Sequence, residues 1–464
     1  MKRVVIVGAG ISGLSIAYRL QESCPAVSIT ILEKHGRPGG AVWTDRQDDF
    51  QVEVGPNGFL DSKPSTLNLC RALGIEDRLV PASEASGRNR YLWWNGKLEP
   101  LPRNLRSFLA TPLLSWRGKL RLLSERFIQR SGMDVDESID AFVRRRAGGE
   151  AAEVLADALV TGIFAGDPEV LSLRACFPRL AAMEQEYGSV LRGMAHASRQ
   201  RRTAKTSGEV KTAGGRMWSF PEGLRLLIET LRDKLNSPPI CDVQVDRLER
   251  SSDQGQPAWN AHGNRPWLAD AVVLTCPAFQ QAAIVRDLDA GLAKRIETIA
   301  YNHVTVMALG FRQGDIPRPL DGFGFIAPQR TRRDILGVQW CSSIFPQRAP
   351  QGMILLRAMC GGWNRPDIAS WDDEPLVQAV RAELRLSMGI SAAPVFQRII
   401  RWDRAIPQYR LGHLENVGWI EERSRRYPGL FLAGNAYHGV ALNDCTEQAE
   451  KISEQVASFL SRNE

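Results

Sequence analysis

A strand, a glycine-rich turn, a helix, a second strand and an acid follow one another in the first 33 residues. This order restricts the fold more than any other feature of the chain. Residues 4–7 (VVIV) form an apolar, β-branched run, as expected for a buried parallel strand. The segment 8–13 (GAGISG) follows at once and leads into a helical pattern, and a second apolar strand over 27–32 ends at Glu33. The pattern predicts a βαβ unit that binds a dinucleotide.

Each glycine of this turn has a physical role. Gly8 permits the tight turn, Gly10 lets the backbone approach a pyrophosphate, and Gly13 lets the helix pack closely on the strand. We expect the pyrophosphate at the helix N-terminus, where free N–H groups and the helix dipole favour an anion. We expect Glu33 to accept hydrogen bonds from a ribose, and an acid there disfavours a 2′-phosphate and argues against NADP. This motif leaves FAD and NAD as alternatives.

The residues after Glu33 favour FAD. Residues 33–40 (EKHGRPGG) resemble the extended E-x(5)-G-G signature of FAD-dependent amine oxidases and their relatives. Those relatives usually have Arg after the glycine pair, whereas Ala41 stands here, which disfavours an amine oxidase proper and suits another branch of the superfamily. Residues 55–58 (GPNG) form a rigid turn that can lie close to a flat ring without Cβ clashes. We expect this turn to pass the isoalloxazine.

The far end of the chain completes the dinucleotide site. Residues 430–435 (LFLAGN) form a strand pattern that ends in glycine, and residues 438–445 (HGVALNDC) open a final helix. A glycine-rich helix start offers N–H donors that suit the flavin pyrimidine. Because one site draws on both ends of the sequence, we expect a discontinuous FAD-binding domain with other domains inserted into it.

Six collinear segments, which span nearly the whole chain, resemble the flavin-dependent protoporphyrinogen/coproporphyrinogen oxidases of haem biosynthesis. They are GPNGFLD (55–61), NRYLWWNGKLEPLP (89–102), TGIFAGDPEVLSLRACFP (161–178), DGFGFIAP (321–328), IPQYRLGHLE (406–415) and AGNAYHGVALNDC (433–445). The resemblance implies an α/β plus α+β fold with a discontinuous Rossmann-like FAD-binding domain, an inserted substrate-binding domain and a helical, membrane-associating domain. The implied boundaries are 1–85, 206–285 and 406–464 for the FAD domain, 86–102 and 286–405 for the substrate domain, and 103–205 for the helical domain.

The resemblance also implies which residues form the site. The implied FAD contacts are Gly8, Ala9, Gly10, Ile11, Ser12, Gly13, Glu33, Lys34, Ala41, Gly55, Pro56, Asn57, Gly58, Val245, Trp402, Val440, Ala441 and Leu442. On the substrate side, Arg90 anchors a propionate through its bidentate guanidinium, and the bare backbone at Gly162 and Gly166 approaches the macrocycle. The apolar side chains implied to sandwich the pyrrole rings are Leu320, Phe323, Leu336, Phe345 and Met359, each with an ordinary core role as the alternative.

The implied reaction is an FAD- and O2-dependent six-electron oxidation of protoporphyrinogen IX to protoporphyrin IX, in three rounds with H2O2 release. Oxidation of coproporphyrinogen III to coproporphyrin III is the alternative, and another amine-oxidase-like flavoenzyme is a remote one. Because the flavin carries the chemistry, no catalytic acid or base is predicted. No metal site is predicted either, because the six histidines never pair at H-x-x-H or H-x-x-x-H spacing and the cysteines have no C-x-x-C spacing.

The charge balance points to anionic partners. The chain has 59 Lys and Arg against 52 Asp and Glu, a net charge of +7. Residues 103–130 combine Leu, Phe and Trp with basic residues and contain Glu125 as the single acid, which predicts basic amphipathic helices broken near Thr111-Pro112. Such helices suit an anionic membrane surface, and a helical core element is the alternative.

Other partners and locations follow from what the sequence lacks. The basic residues carry no RNA-binding signature, so no nucleic-acid partner is expected. The N-terminus lacks a cleavage site, no run approaches a transmembrane span, and eight cysteines are scattered without C-x-x-C spacing. We therefore expect a cytoplasmic protein, peripheral on the inner face of the cell membrane. A homodimer is left open.

Overall fold

The computed structural model describes residues 1–132, 135–206, 215–251 and 258–462. The strands are β1 (Arg3–Val7), β2 (Ser28–Leu32), β3 (Thr44–Gln47), β4 (Phe50–Glu53), β5 (Phe59–Leu60), β6 (Val80–Pro81), β7 (Tyr91–Trp94), β8 (Lys97–Pro100), β9 (Met217–Ser219), β10 (Arg247–Arg250), β11 (Trp259–His262), β12 (Pro266–Ala269), β13 (Ala271–Leu274), β14 (Val304–Arg312), β15 (Gly324–Ile326), β16 (Gly337–Trp340), β17 (Met353–Gly361), β18 (Phe396–Trp402) and β19 (Leu430–Leu432). The helices are α1 (Ile11–Ser23), α2 (Ser65–Leu73), α3 (Glu84–Arg88), α4 (Leu105–Ala110), α5 (Trp116–Leu123), α6 (Ile139–Ala147), α7 (Gly149–Ala151), α8 (Asp157–Phe164), α9 (Leu173–Cys176), α10 (Pro178–Tyr187), α11 (Val190–Thr206), α12 (Arg225–Lys234), α13 (Ala278–Val285), α14 (Ala290–Glu297), α15 (Cys341–Ile344), α16 (Asp373–Met388), α17 (His413–Ser424) and α18 (Leu442–Arg462).

A four-stranded parallel sheet forms the nucleotide-binding unit. Its order is β19-β13-β1-β2, so β1 lies between strands from distant parts of the chain. Successive residues of β1 point to opposite faces: Val4 and Ile6 join one buried cluster, whereas Val5 and Val7 join another. Burial on both faces explains why this strand is wholly apolar. The sheet confirms the predicted discontinuous Rossmann-like domain.

A seven-stranded mixed sheet forms the second unit, in the order β18-β14-β17-β16-β15-β7-β8. Strands β7 and β8 form a hairpin, and its turn residues Asn95 and Gly96 have φ of +49° and +80°, as a tight hairpin turn requires. β7 pairs parallel to β15, which brings residues 91–100 into a sheet built otherwise from 304–402. Helix α16 covers one face of this sheet, and the other face lies against β4.

The helices α4 to α11 form a third unit. The predicted break near Thr111-Pro112 is confirmed, since α4 ends at Ala110 and α5 begins at Trp116. A π-helical turn over residues 152–156 joins α7 to α8. Arg146 of α6 is buried among these helices and forms ion pairs with Glu125 and Glu184, which are also buried.

Residues 286–303 pack differently from the expected assignment to the substrate domain. Helix α14 packs against α13 and α17. Its buried residues Leu292 and Ile296 share a core with Val5 and Leu274 of the nucleotide-binding sheet. The substrate-side sheet begins only with β14 at Val304. The apolar face of α14 instead lies in the core shared with the parallel sheet.

Candidate cofactor and substrate site

The glycine turn after β1 is shaped to leave room in front of α1. A Cβ at Gly13 would lie 2.0 Å from the carbonyl oxygen of Gly8, so only glycine fits where the helix meets the strand. A Cβ at Gly10, in contrast, would meet no described atom within 4 Å. Helix α1 has no side-chain cap and no acid in its first turn. Free N–H groups therefore face open space at the place expected for a pyrophosphate.

Glu33 lies beside this turn. Its side chain is buried, with one oxygen accepting from the Ala9 N–H at 2.8 Å and the other from the His35 N–H at 2.9 Å. A carboxylate has about four lone-pair sites, so each oxygen can accept a further hydrogen bond from a ribose hydroxyl. The carbonyl of Glu33 accepts from the Val243 N–H, and Val245 is buried two residues further on, whereas the Lys34 side chain is exposed.

The adjacent glycines after Glu33, at positions 39 and 40, extend the cleft away from Glu33. Gly39 and Gly40 have φ of +104° and +55°, and the Gly39 N–H donates to Ala9 O at 2.8 Å. A Cβ at Gly40 would lie 3.8 Å from the Cα of Gly10, and one at Gly55 would lie 2.3 Å from Ala41 O. The backbones of Gly10, Gly40, Ala41 and Gly55 are therefore neighbours in that order.

The turn over residues 55–58 is held from behind and carries unpaired polar atoms. Trp402 donates through Nε1 to Val54 O at 2.8 Å, and Arg357 donates through Nη2 to Gly55 O at 2.8 Å. Asn57 is buried, and neither its Oδ1 nor its Nδ2 has a partner in the part of the chain that the structure describes. Buried amides are normally hydrogen-bonded, so this turn fits a polar ring system that supplies the missing partners.

The C-terminal turn reaches the same cleft. Tyr409 donates its hydroxyl hydrogen to Asn435 O, and the Gly439 N–H donates to the Tyr409 oxygen at 2.9 Å. His413 stacks on the Tyr409 ring with centroids 4.0 Å apart, and burial lowers the pKa of His413 to about 4, so the imidazole is neutral near pH 7. This arrangement fixes the turn that precedes α18.

The residues predicted to contact the flavin at this end follow that turn. Val440 is half-buried, Ala441 is exposed, and Leu442 is buried in the cluster that contains Ala9 and Ile11. The two ends of the chain are thus adjacent. The glycine turn, Glu33, the 55–58 turn and the start of α18 together fit an extended dinucleotide such as FAD.

Two groups of predicted substrate residues flank the 55–58 turn. Leu336 and Met359 are half-buried and pack with Val304, Val306 and Trp402. The second group joins Phe323 to the fully buried Phe345 and to Met217, whose side chain would lie 3.0 Å from a Cβ at Gly58.

Arg90 belongs to the second group. Its guanidinium lies over the Phe323 ring, 5.0 Å from the centroid. It makes no ion pair with a carboxylate of the described residues. The residue is exposed, yet desolvation by the surrounding protein lowers its pKa. An exposed but partly desolvated arginine without an acid partner is suited to a carboxylate ligand.

Of the remaining substrate predictions, Gly166 follows Ala165, which packs with Leu336 and Met359, whereas Gly162 and Leu320 lie in other surroundings. Gly162 is exposed on α8, where a Cβ would lie 2.7 Å from Ile326 Cδ1. Gly166 is buried, and a Cβ there would meet Gln408 and Leu171, so protein packing already accounts for that glycine. Leu320 packs with the α16 side of the seven-stranded sheet, on the face opposite to Met359.

Sequence reasoning missed Arg357 and Tyr409, which hold the two turns. Tyr409 lies within the quoted segment IPQYRLGHLE, so that motif could have identified it. Arg357 has no local signal, because it follows apolar residues in an ordinary strand pattern.

Comparison with known proteins identifies the class. A family model described as flavin containing amine oxidoreductase matches residues 11–457, and the chain belongs to this family. It is a flavin-dependent oxidoreductase, and its cofactor is FAD, which confirms the prediction drawn from the segments around Gly10 and Gly40.

Particular relatives narrow the class further. The chain is 32% identical over 475 residues to the chloroplastic protoporphyrinogen oxidase of Nicotiana tabacum, covering 99% of this chain and 86% of the relative. It is 30% identical over 477 residues to the coproporphyrinogen III oxidase of Bacillus subtilis, covering 99% and 98%. A crystal structure of a proposed protoporphyrinogen oxidase from Exiguobacterium sp. 255-15 matches with a TM-score of 0.84 and 28% identity, covering 99% of both chains.

Proposed function

We propose that this protein oxidises a porphyrinogen to a porphyrin, with protoporphyrinogen IX as the first candidate and coproporphyrinogen III as the second. The observation that carries the proposal is Arg90, an arginine without an acid partner among the described residues. It lies over Phe323, which packs with Met217 near the 55–58 turn. A porphyrinogen combines an apolar macrocycle with propionates, which matches this combination. The similarity to the Bacillus subtilis relative supports the second substrate.

The residues of this chain bind the cofactor and the substrate, orient them and exclude water. The glycine turn and Glu33 hold the dinucleotide, while the 55–58 turn and the start of α18 set the flavin end. When bound, FAD supplies hydride acceptance and reoxidation by O2 with release of H2O2. Leu336, Met359 and Phe323 offer an apolar surface that orients the macrocycle, and Arg90 fixes one edge through a propionate. Tautomerism of the macrocycle can move its ring protons, so no side-chain base is assigned.

Activity on two substrates tests the proposal. Purified protein is expected to be yellow and to release three H2O2 for each porphyrin formed, because three two-electron rounds complete the oxidation. Porphyrin fluorescence and a peroxide assay measure the two products, and the ratio of kcat/KM on the two porphyrinogens assigns the substrate. Turnover of an amine with no turnover of either porphyrinogen would refute the proposal.

Replacing Arg90 with alanine is expected to raise KM for the porphyrinogen about tenfold or more while FAD content stays unchanged. Loss of a charge-assisted hydrogen bond costs about 1.5–3 kcal/mol, and tenfold corresponds to about 1.4 kcal/mol. Steady-state kinetics and the flavin absorbance measure the two quantities. Arg88→Ala is the matched control, since Arg88 is exposed and pairs with Glu84 on the same helix. An unchanged KM in Arg90→Ala would remove Arg90 from the substrate site.

We also propose that the helical unit binds an anionic membrane surface. Trp116, Leu120 and Leu123 follow one face of α5, and their exposed fractions are 65%, 66% and 40%. Arg106 and Arg117 are exposed nearby in the sequence. Basic residues beside an exposed apolar face are typical of interfacial helices. Within the described residues, no helix combines the length and apolar character needed to cross a bilayer.

Leu120→Glu is expected to weaken binding to phosphatidylglycerol vesicles at least tenfold, because it removes apolar burial and adds a charge of the lipid's sign. Burial of one leucine contributes about 1.5–3 kcal/mol. Vesicle sedimentation measures the binding, and Leu268→Glu, at a 43% exposed leucine on β12, is the control. Equal weakening by both variants would contradict a specific role for α5.

A further inference from the structure

Arg357 lies behind the turn over residues 55–58, which we call the flavin-side turn, and most of its N–H groups have no hydrogen-bond partner among the described residues. It lies on β17, is 3% exposed, and donates through Nη2 to Gly55 O at 2.8 Å. Its Nε and Nη1 are buried and have no hydrogen-bond partner among the described residues. A buried guanidinium normally has its N–H groups paired, because an unpaired buried charge is costly. Such an arrangement needs a reason beyond packing.

The charged groups around Arg357 do not neutralise it. Arg348 pairs with the buried Glu53 at 2.9 Å, and Glu53 also accepts from the Thr44 hydroxyl. Cys341 faces the same cluster, but burial raises the pKa of its thiol to about 11, so it carries no charge near pH 7. Within the part of the chain that the structure describes, one carboxylate thus faces two guanidinium groups.

The neighbouring strands add no counter-charge. Ala308 on β14 and Gln339 on β16 are the residues directly opposite Arg357, and both are uncharged. Gln339 Oε1 is itself buried without a partner among the described residues. The cluster therefore carries one net positive charge inside the protein, next to the Gly55 carbonyl.

The positive charge of Arg357 lies at one end of the dinucleotide cleft. Glu33 marks the ribose end and Gly10 the pyrophosphate position, and the backbone then passes through Gly40 and Ala41 to Gly55. Gly55 consequently lies beyond the pyrophosphate on the side away from Glu33, which is the flavin half of the dinucleotide. Strand β17 lies behind that half, and its Arg357 donates to the carbonyl of Gly55.

We propose that Arg357 is a positioning residue that holds the flavin-side turn and whose unpaired charge favours the reduced flavin. The inference rests on the proposed placement of the flavin beside residues 55–58. A hydride that leaves a substrate C–H bond brings two electrons and one proton, so the ring gains one negative charge. The oxidised substrate gains the matching positive charge and loses a proton to solvent. A fixed cation near the ring stabilises the charge that the ring acquires.

The test measures the flavin without any porphyrinogen. Arg357→Met removes the charge and keeps the volume, and it is expected to lower the equilibrium constant for two-electron reduction at least tenfold. Tenfold corresponds to a midpoint potential about 30 mV lower for a two-electron couple. The dissociation constant for sulfite, which adds to the flavin as an anion, is expected to rise at least tenfold. Titration against a redox dye and absorbance titration with sulfite measure these quantities.

Two further variants separate charge from shape. Arg357→Lys keeps the charge and is expected to remain within threefold of the unaltered protein in both measurements. Glu53→Gln removes the carboxylate that faces the two guanidinium groups. It is expected to raise the midpoint potential and to lower the dissociation constant for sulfite, opposite to Arg357→Met. If Arg357→Met does not retain FAD, the proposal is tested by the direction in which Glu53→Gln shifts the midpoint potential. The proposal would be overturned by an unchanged midpoint potential in Arg357→Met or by an equal fall of the potential in Arg357→Lys. It would also be overturned if Glu53→Gln changed neither the potential nor the dissociation constant for sulfite.

These measurements do not depend on the substrate. A protein that binds FAD but turns over no porphyrinogen would refute the proposed function and leave the potentials of the Arg357 variants interpretable. Normal turnover with unchanged potentials would refute the role of Arg357 alone.

Discussion

Gly10→Ala is expected to weaken FAD binding at least tenfold while the stability of the cofactor-free protein stays the same. A Cβ at Gly10 meets no described atom within 4 Å, and the residue's φ of −72° suits alanine, so the fold does not resist the change. The added methyl group would instead occupy the space expected for the pyrophosphate. Fluorescence titration with FAD and urea unfolding of the apoprotein measure the two effects.

Gly13→Ala should behave differently, since its Cβ would lie 2.0 Å from Gly8 O and force strand and helix apart. We expect loss of both FAD binding and stability, with a cost of about 1–3 kcal/mol or more from overpacking. Gly418→Ala, on the exposed side of α17 with nothing within 4 Å, is the control and should gain about 0.5–1 kcal/mol. FAD affinity equal to that of the unaltered protein in Gly10→Ala would show that Gly10 does not face the pyrophosphate.

The second large effect is expected at Arg146, whose loss should destabilise the protein by about 3–5 kcal/mol. The Arg146 side chain is 1% exposed and contacts Glu125 and Glu184, with Nη1 to Glu184 Oε1 at 2.7 Å. It also donates to the carbonyl of Gly188. Arg146→Met removes the cation and leaves Glu125 buried without an ionic partner among the described residues, whereas Glu184 keeps Arg145. Urea unfolding measures the change in the free energy of unfolding.

A second substitution separates lost charge pairing from lost packing. Arg146→Met combined with Glu125→Gln removes both members of one ion pair, and we expect it to recover part of the lost stability, because no unpaired carboxylate is left beside residue 146. Arg88→Met tests an exposed pair with Glu84 and should change the free energy by about 1 kcal/mol or less. A change of that size in Arg146→Met would mean that the buried pairs contribute no more than exposed ones.

The parts of the fold that could be predicted are those with local patterns. The strand and glycine turn at residues 4–13, the Asn95-Gly96 hairpin and the break near Thr111 each depend on residues close together in sequence. Glu33 could be predicted for the same reason, because it ends the strand beside that turn.

Other features depend on pairing between distant segments. Arg357 binds the carbonyl of Gly55, 302 residues away, and only the register of β17 against β14 and β16 decides which face it occupies. Met359 and Leu320, which the sequence grouped as one kind of residue, pack on opposite faces of the seven-stranded sheet. Helix α14 likewise has an apolar stripe that either sheet could cover, and periodicity does not say which.

The strand order of the parallel sheet also bears on how the protein is made. β1 precedes its neighbour β13 by 267 residues in the chain, since Val4 pairs with Ala271, and β19 and α18 come later still. A growing chain therefore carries an apolar first strand that has only β2 as a native partner for most of its synthesis. We expect stable capture of FAD only after α18 has been made, since α18 packs on α1 beside the glycine turn. Retained cofactor would thus indicate that the chain has been made through α18.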